Sequence, residues 1–283
     1  MRYLITGGRG MLGTDLGTAL QGRDVARLGS AELDITDRSA AIAAAAGYDV
    51  VINAAAYVKV DDAETHEEEA TAVNALGAQN LAIAAREAGA RFVQVSTDYV
   101  FDGTATTPYR EDTPLAPLGA YGRSKAEGER LVLAEHPSGS YIVRTAWLYG
   151  ENGSNFARTM LNLAASRPTV SVVDDQFGQP TWSLDLAKQI VALVDANAPV
   201  GTYHGTNSGE TSWYGFARAI YAEVGLDADR VGPTDSAAFV RPAPRPSYSV
   251  LGHDAWLAAG LTPMRPWSEA LSAAIASGAV AAA

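Results

Sequence analysis

The sequence predicts an α/β protein built on a doubly wound parallel sheet, with a smaller lobe formed by the C-terminal part of the chain. Three observations carry that expectation. Short apolar runs alternate with helical patterns through the first half, a glycine-rich turn follows the first run directly, and the regular alternation lapses after Gly150.

The elements follow in order. Tyr3–Thr6 reads as a buried strand, being short, largely apolar and followed at once by glycines. Val25–Leu28, Val50–Ala55 and Phe92–Thr97 repeat the pattern. Between the last two, Glu67–Ala88 spaces alanines and leucines as a helix does. A helix from about Tyr121 to Glu135 and a strand at Tyr141–Ala146 continue the alternation. Right-handed crossovers then place helices on both faces of one sheet. Beyond Gly150, helices are expected at Asn155–Ala165, Leu184–Ala196 and Trp213–Val224, with strands at Val170–Val173 and Gly201–His204. Pro242, Pro244, Pro246, Pro263 and Pro266 break up the remainder, and Ala270–Ala283 is expected to be a helix that frays.

Composition removes several function classes. The 283 residues, 47% of them hydrophobic, suffice for a substantial core. With no cysteine, disulfides, thiolate metal sites and cysteine nucleophiles are excluded. A formal charge of -11 argues against a nucleic-acid partner. No run approaches the ~18 apolar residues of a membrane span, so no membrane partner is expected. The N-terminus turns glycine-rich too early for a signal peptide, and a cytoplasmic location is expected. His66, His136, His204 and His253 do not pair at ligand spacing. Glu67-Glu68-Glu69 reads as the acidic first turn of a helix, and no metal is expected.

The turn Thr6-Gly7-Gly8-Arg9-Gly10-Met11-Leu12-Gly13 satisfies Gly-x-Gly-x-x-Gly between a strand and a helix. Glycine allows a tight turn, and lets a pyrophosphate approach bare N–H groups at a helix N-terminus. This makes the fold Rossmann-type, with a dinucleotide-binding domain over 1–150 and a substrate lobe over 151–283 that exchange short segments. Gly7, Gly10, Met11 and Leu12 are the expected phosphate-side contacts. NAD-specific folds place an acid at the end of the second strand. Here that strand ends Ala26-Arg27-Leu28-Gly29-Ser30, and Arg9 and Arg27 stand ready for a 2′-phosphate. NADPH is the expected cofactor, with NADH as the alternative. In Asp34-Ile35-Thr36-Asp37, Asp34 and Ile35 are expected beside the adenine, while Thr36 or Asp37 caps a helix.

Ser96-Thr97-Asp98 ends the fourth strand some two dozen residues before Tyr121-Gly122-Arg123-Ser124-Lys125. Tyr121 and Lys125, at i and i+4, share one helical face. An ammonium beside a phenol favours the phenolate, so Lys125 is expected to lower the pKa of Tyr121 towards the working range. Tyr121 is then the general acid for a ketone reduced by hydride, Lys125 also reaches the nicotinamide ribose, and Thr97 donates to the carbonyl oxygen as it gains charge. Trp147 offers a flat ring to a pyranose. Arg241-Pro242-Ala243-Pro244-Arg245-Pro246 sets two arginines, Arg241 and Arg245, on a stiff segment that suits a nucleotide diphosphate.

Several segments together resemble the extended short-chain dehydrogenase/reductase family and, within it, the dTDP-4-dehydrorhamnose reductases. They are Val51-Ile52-Asn53-Ala54-Ala55-Ala56-Tyr57, Val60-Asp61, Ser96-Thr97-Asp98-Tyr99-Val100-Phe101-Asp102-Gly103, the Tyr121–Lys125 segment, Arg144-Thr145-Ala146-Trp147-Leu148-Tyr149-Gly150, Asn155-Phe156 and Asp175-Gln176-Phe177-Gly178-Gln179-Pro180-Thr181. The resemblance implies a catalytic trio of Thr97, Tyr121 and Lys125, and a cofactor wall of Ala54, Ala55 and Ala56. It implies sugar contacts at Thr97, Asp98 and Trp147, with Asn155 and Phe156 on the substrate side. The implied reaction is NAD(P)H-dependent reduction of the C4 ketone of dTDP-4-dehydro-β-L-rhamnose to dTDP-L-rhamnose, in deoxysugar biosynthesis. Another dTDP-4-ketosugar, such as a dihydrostreptose precursor, stays open as substrate. So do a non-catalytic nucleotide-binding regulatory role and a homodimeric assembly. Tyr99 stands where dehydrating relatives carry a glutamate, which disfavours elimination.

Overall fold

Alternation inside the strands decides which helices cover which face of the sheet. In the computed structural model, which describes residues 1–281, the strands are β1 (Arg2–Thr6), β2 (Asp24–Leu28), β3 (Val50–Asn53), β4 (Arg91–Thr97), β5 (Ser140–Thr145) and β6 (Gly201–His204). All pair in parallel, in the order β6-β5-β4-β3-β1-β2. Tyr3, Ile5, Val50, Ile52, Val93 and Val143 point to one face and pack with Leu12, Leu16 and Leu20 and with Leu186, Ile190 and Val194. Those residues belong to α1 (Met11–Ala19), its C-terminal turn, and the helix Ser183–Asp195. Leu4, Val51, Phe92 and Ile142 point the other way, onto Ala41, Leu81, Ala85 and Val132.

That second face is covered by α2 (Arg38–Ala45), α4 (Ala78–Ala88) and α5 (Ala120–Glu135), with α3 (Glu67–Thr71) packed against α5. The expected helix Glu67–Ala88 is interrupted: Ala72–Gly77 winds as a π-helix between α3 and α4. Buried Asn74 lies in this segment. Its Oδ1 accepts from Tyr57 N at 2.8 Å, and its Nδ2 donates to Ser124 Oγ at 2.9 Å, tying α5 to the loop after β3. A wider turn of this kind places such a side chain where a regular helix would not.

The remaining helices are α6 (Phe156–Ser166), α7 (Ser183–Asp195), α8 (Trp213–Glu223), α9 (Asp254–Ala258) and α10 (Trp267–Ala276). Phe216, Ile220, Tyr221, Met160, Leu161 and Leu271 from α6, α8 and α10 form a second core. Small two-stranded pairings accompany it: Val170–Val173 runs parallel to Val231–Thr234, and Phe177–Gly178 antiparallel to Thr211–Ser212. The chain crosses the expected boundary at 150, because α7 and β6 return to the main layer. The last helix begins earlier than expected, at Trp267, and ends at Ala276 before Gly278, whose φ is +80°. Of the expected Ala270–Ala283 helix, Ala282 and Ala283 lie outside the described residues. Among the described residues no helix is long and apolar enough to cross a membrane.

Neighbouring β1 and β3 leave the sheet in opposite directions, and such a switch point opens a crevice at the carboxyl ends of the strands.

Candidate active site

The crevice is a cavity of about 1030 Å³ walled by the segments that follow β1 to β5. Its floor at the switch point is backbone packed on backbone. Gly7 has φ +68°, and a Cβ there would stand 2.5 Å from Ala55 N; a Cβ on Gly13 would stand 2.2 Å from Gly7 O. Asn53 holds the second layer: its Oδ1 accepts from Thr6 Oγ1 at 2.7 Å and from Ala55 N at 3.0 Å, while its Nδ2 donates to Gln94 at 2.8 Å. Helix α1 starts at Gly10 with no side-chain cap, so its first-turn N–H groups are left for a ligand. A cradle that admits no Cβ, beneath an uncapped helix N-terminus, fits a dinucleotide pyrophosphate.

Gly7, Gly10, Met11, Leu12, Asp34, Ile35, Ala54, Ala55 and Ala56 all line this cavity. Asp34 Oδ1 is occupied by Thr36 N at 2.9 Å and Thr36 Oγ1 at 2.7 Å. Asp37 caps α2 by accepting from Ser39 N and Ala40 N. Arg27 departs from expectation. Its side chain runs along α1 against Gly17 into a separate shallow recess, away from the cleft. The apparent lack of an acid after β2 is also corrected. The backbone turns back at Gly29, with Glu32 N and Leu33 N both donating to Gly29 O at 3.0 Å. Glu32 Oε2 thereby reaches Gly29 N at 2.6 Å.

At the other end of the cavity stand Thr97, Asp98, Tyr99, Tyr121, Lys125 and Trp147. Helix α5 comes this close because of its glycines: a Cβ on Gly122 would lie 2.2 Å from Tyr99 O, and one on Gly128 would lie 2.3 Å from Asn74 O. Glu64 Oε1 accepts from Ala120 N at 2.9 Å, which places a carboxylate at the positive end of α5. Tyr121 packs edge-to-face on Tyr99, with centroids 5.7 Å apart.

The electrostatics differ from the sequence expectation. Burial, reinforced by the negative charge of Asp98, pushes the Tyr121 phenol up to about 12, against a lowering by Thr97. Lys125 does not lower it. Its Nζ is buried and donates to Val95 O at 2.6 Å, and desolvation brings the ammonium itself down to about 8, opposed by Glu129. Asp98 is 2% exposed. Its Oδ1 accepts from Thr97 Oγ1 at 2.9 Å and Oδ2 lacks a hydrogen-bond partner. Burial raises this carboxyl to about 6, against weaker lowering by Ser249 and Thr97.

Trp147 lines the cavity in a left-handed backbone conformation, φ 48°, a strained state for a non-glycine residue. Its ring is already stacked on Trp213, with centroids 3.5 Å apart and planes at 9°, and Gly178 packs against the indole. One face is thus covered by Trp213, which the sequence analysis did not single out.

Four expected substrate contacts lie off the cavity wall. Asn155 caps α6, accepting from Arg158 N at 3.1 Å and donating to Gly150 O at 2.9 Å. Phe156 belongs to an aromatic cluster with Trp213 and Phe216. Arg241 and Arg245 converge on one carboxylate instead of an open anion site: their Nη2 atoms lie 2.6 and 2.9 Å from the oxygens of Asp61. The Arg245 guanidinium also sits 5.9 Å from the centre of the Tyr99 ring, one ring removed from Tyr121.

Beneath the carboxyl end of β4 lies a buried ion pair that sequence reasoning missed. Glu129 on α5 accepts from Arg144 on β5 at 2.7, 2.9 and 3.1 Å, and from Ser96 Oγ at 2.5 Å. Arg144 and Glu129 are 4% and 2% exposed.

Comparison with known proteins agrees with this geometry. The family model described as the RmlD substrate binding domain matches residues 1–280. A dTDP-4-dehydrorhamnose reductase from Streptomyces griseus is 50% identical over 279 residues, 96% of this chain and 92% of that one. A dTDP-4-keto-6-deoxy-D-glucose reductase from Streptomyces niveus is 48% identical over 277 residues, 96% of either chain. Among solved structures, a dTDP-4-dehydrorhamnose reductase from Bacillus anthracis in complex with NADP aligns with a TM-score of 0.93 at 38% identity, covering 98% of this chain and 99% of that one.

Proposed function

We propose a function for this chain, which belongs to the RmlD substrate binding domain family: NADPH-dependent reduction of the C4 ketone of dTDP-4-dehydro-β-L-rhamnose to dTDP-L-rhamnose. The observation that carries the reading is a single cavity running from the glycine cradle to Thr97, Tyr121 and Lys125. The bound reduced dinucleotide supplies the hydride. Gly7, Gly10, Met11 and Leu12 hold its pyrophosphate by backbone groups, and Ala54, Ala55 and Ala56 form the opposite wall. Asp34 and Ile35 border the adenine.

The chain's own work at the ketone is proton delivery and charge stabilisation. Tyr121 gives its phenolic proton to the carbonyl oxygen as negative charge develops there. Thr97 donates a second hydrogen bond to the same oxygen. Lys125, anchored on Val95 O, reaches the nicotinamide ribose. Asp98 lines the sugar end of the cavity beside Thr97. Trp147 borders the sugar with the edge that Trp213 leaves free. The part of the chain after 150 contributes the substrate lobe, and a cytoplasmic location belongs to the same reading.

A second reading follows from the Streptomyces niveus relative: the substrate is another dTDP-4-keto-6-deoxy sugar, reduced by the same residues. Both are tested by following NADPH oxidation with a panel of dTDP-4-ketosugars. Fast turnover of the rhamnose precursor supports the first reading, and preference for a different ketosugar the second. No oxidation with any of them, by protein that binds NADPH, would reject both.

A further inference from the structure

A charge pair that neither the cradle nor the proton-delivery groups use joins the glycine turn after β1 to the turn after β2. Arg9 belongs to the glycine turn and lines the cavity. Its Nη2 donates to Glu32 Oε1 at 2.5 Å, while Glu32 Oε2 accepts from Gly29 N at 2.6 Å. A Cβ on Gly29 would lie 2.6 Å from Arg9 Cγ and 3.1 Å from Glu32 Oε2, so both side chains are packed on that glycine although their ends face solvent. Gly29, Ser30, Asp34 and Ile35 form the adjoining wall.

In a doubly wound sheet the adenosine ribose lies at the carboxyl end of β2. An acid there accepts from the 2′-hydroxyl of NADH, or an arginine meets the 2′-phosphate of NADPH. This chain puts one of each at that place and joins them. We infer that the Arg9–Glu32 pair sets the choice of dinucleotide, Arg9 binding the 2′-phosphate and Glu32 accepting the 2′-hydroxyl, each opposing the other's ligand. The inference rests on the dinucleotide reading of the cleft.

The opposition follows from the contacts. A 2′-phosphate must share the Arg9 guanidinium with a carboxylate and suffers that carboxylate's like charge. A 2′-hydroxyl suffers no repulsion, and each Glu32 oxygen has a lone pair beyond the one already used. The pair therefore gives a narrow preference between the two nucleotides, and neutralising one partner widens it in a predictable direction. Arg27, turned into the other recess, takes no part.

The test is fluorescence titration of NADPH and NADH, without sugar substrate, into the unmodified protein and the Glu32→Gln and Arg9→Ala variants, with melting curves alongside. Glu32→Gln is expected to shift the affinity ratio about 3–10-fold towards NADPH, the scale of removing an exposed like charge plus a hydroxyl acceptor. Arg9→Ala is expected to shift it about tenfold towards NADH, by loss of a charge-assisted phosphate contact. A ratio within twofold of the parent's in both variants would overturn the inference while leaving the cleft's function intact. Failure of the unmodified protein to bind either nucleotide would overturn the dinucleotide reading, and the inference with it.

Discussion

Removing one partner of the buried Glu129–Arg144 pair should destabilise the protein more than any surface change, and the structure sets the scale. Glu129→Ala leaves a guanidinium that is 4% exposed without its carboxylate, and also strips Ser96 Oγ of its acceptor. Arg144 keeps a bond to Glu111 O at 3.1 Å, a 3.3 Å contact with His204 Nε2 and the face of the Phe101 ring at 5.1 Å, none of them an anion. An uncompensated buried charge costs about 3–5 kcal/mol. For a chain of this size, at roughly 2–4 °C per kcal/mol, the melting temperature should fall by about 6–20 °C. The decisive comparison is the double variant Glu129→Met with Arg144→Met, followed by urea unfolding. Replacing both charges removes the desolvation penalty along with the attraction, so the double variant should recover at least half of the single variant's loss. A double variant as unstable as Glu129→Ala, or a single loss below about 1 kcal/mol, would refute the claim that the unpaired charge dominates. Because Ser96 adjoins Thr97 on β4, kcat should fall in the single variant even where it remains folded.

The other expectations are briefer. Tyr121→Phe should lower kcat by ~10²–10⁴, the range of a positioned acid, while NADPH affinity by fluorescence stays near the parent's; near-normal turnover would reject the assignment. Asp98 titrates near 6 when folded against an ordinary 3.8, so between about pH 4 and 6 the folded state holds a proton that the unfolded state lacks. Stability is therefore lost as pH rises through that window, up to about 3 kcal/mol. Asp98→Asn escapes this penalty, so its urea stability relative to the parent should improve from pH 4 to pH 7, and a flat difference would contradict the burial argument. Gly13→Ala would place a Cβ 2.2 Å from Gly7 O, and should cost about 1–3 kcal/mol of stability with at least a tenfold loss of NADPH affinity, read by melting and titration.

Which parts of this architecture could be read in advance follows from how local their causes are. The strands were visible because a parallel sheet covered on both faces needs continuous apolar runs such as Tyr3–Thr6 and Val50–Asn53. The cradle was visible because three glycines at fixed spacing have few other uses between a strand and a helix. Gly201–His204 was recognisable as a strand, but its partner β5 lies some sixty residues earlier, and nothing local names it. Arg241 and Arg245 looked free because Asp61 is 180 and 184 residues away. Asn155 was legible in another sense: an Asn before an apolar helical run is a capping signal, and that role has claimed its side chain. Glu32 escaped because an acid four residues past a strand end becomes adjacent only through the turn at Gly29.

The same locality explains why the i, i+4 spacing of Tyr121 and Lys125 misled about acidity. Spacing places two side chains on one face but says nothing of their other neighbours, and here Val95 O takes the ammonium while Asp98 faces the phenol. The result leaves the phenol in its proton-bearing form. A phenol near 12 is almost wholly protonated at neutral pH, so it is a proton donor ready for use. An alkoxide forming from a ketone is a stronger base than any phenolate, and takes that proton downhill. Run backwards, alcohol oxidation would need the ionised phenol as base, a form populated at roughly one part in 10⁵ at pH 7 by the same value.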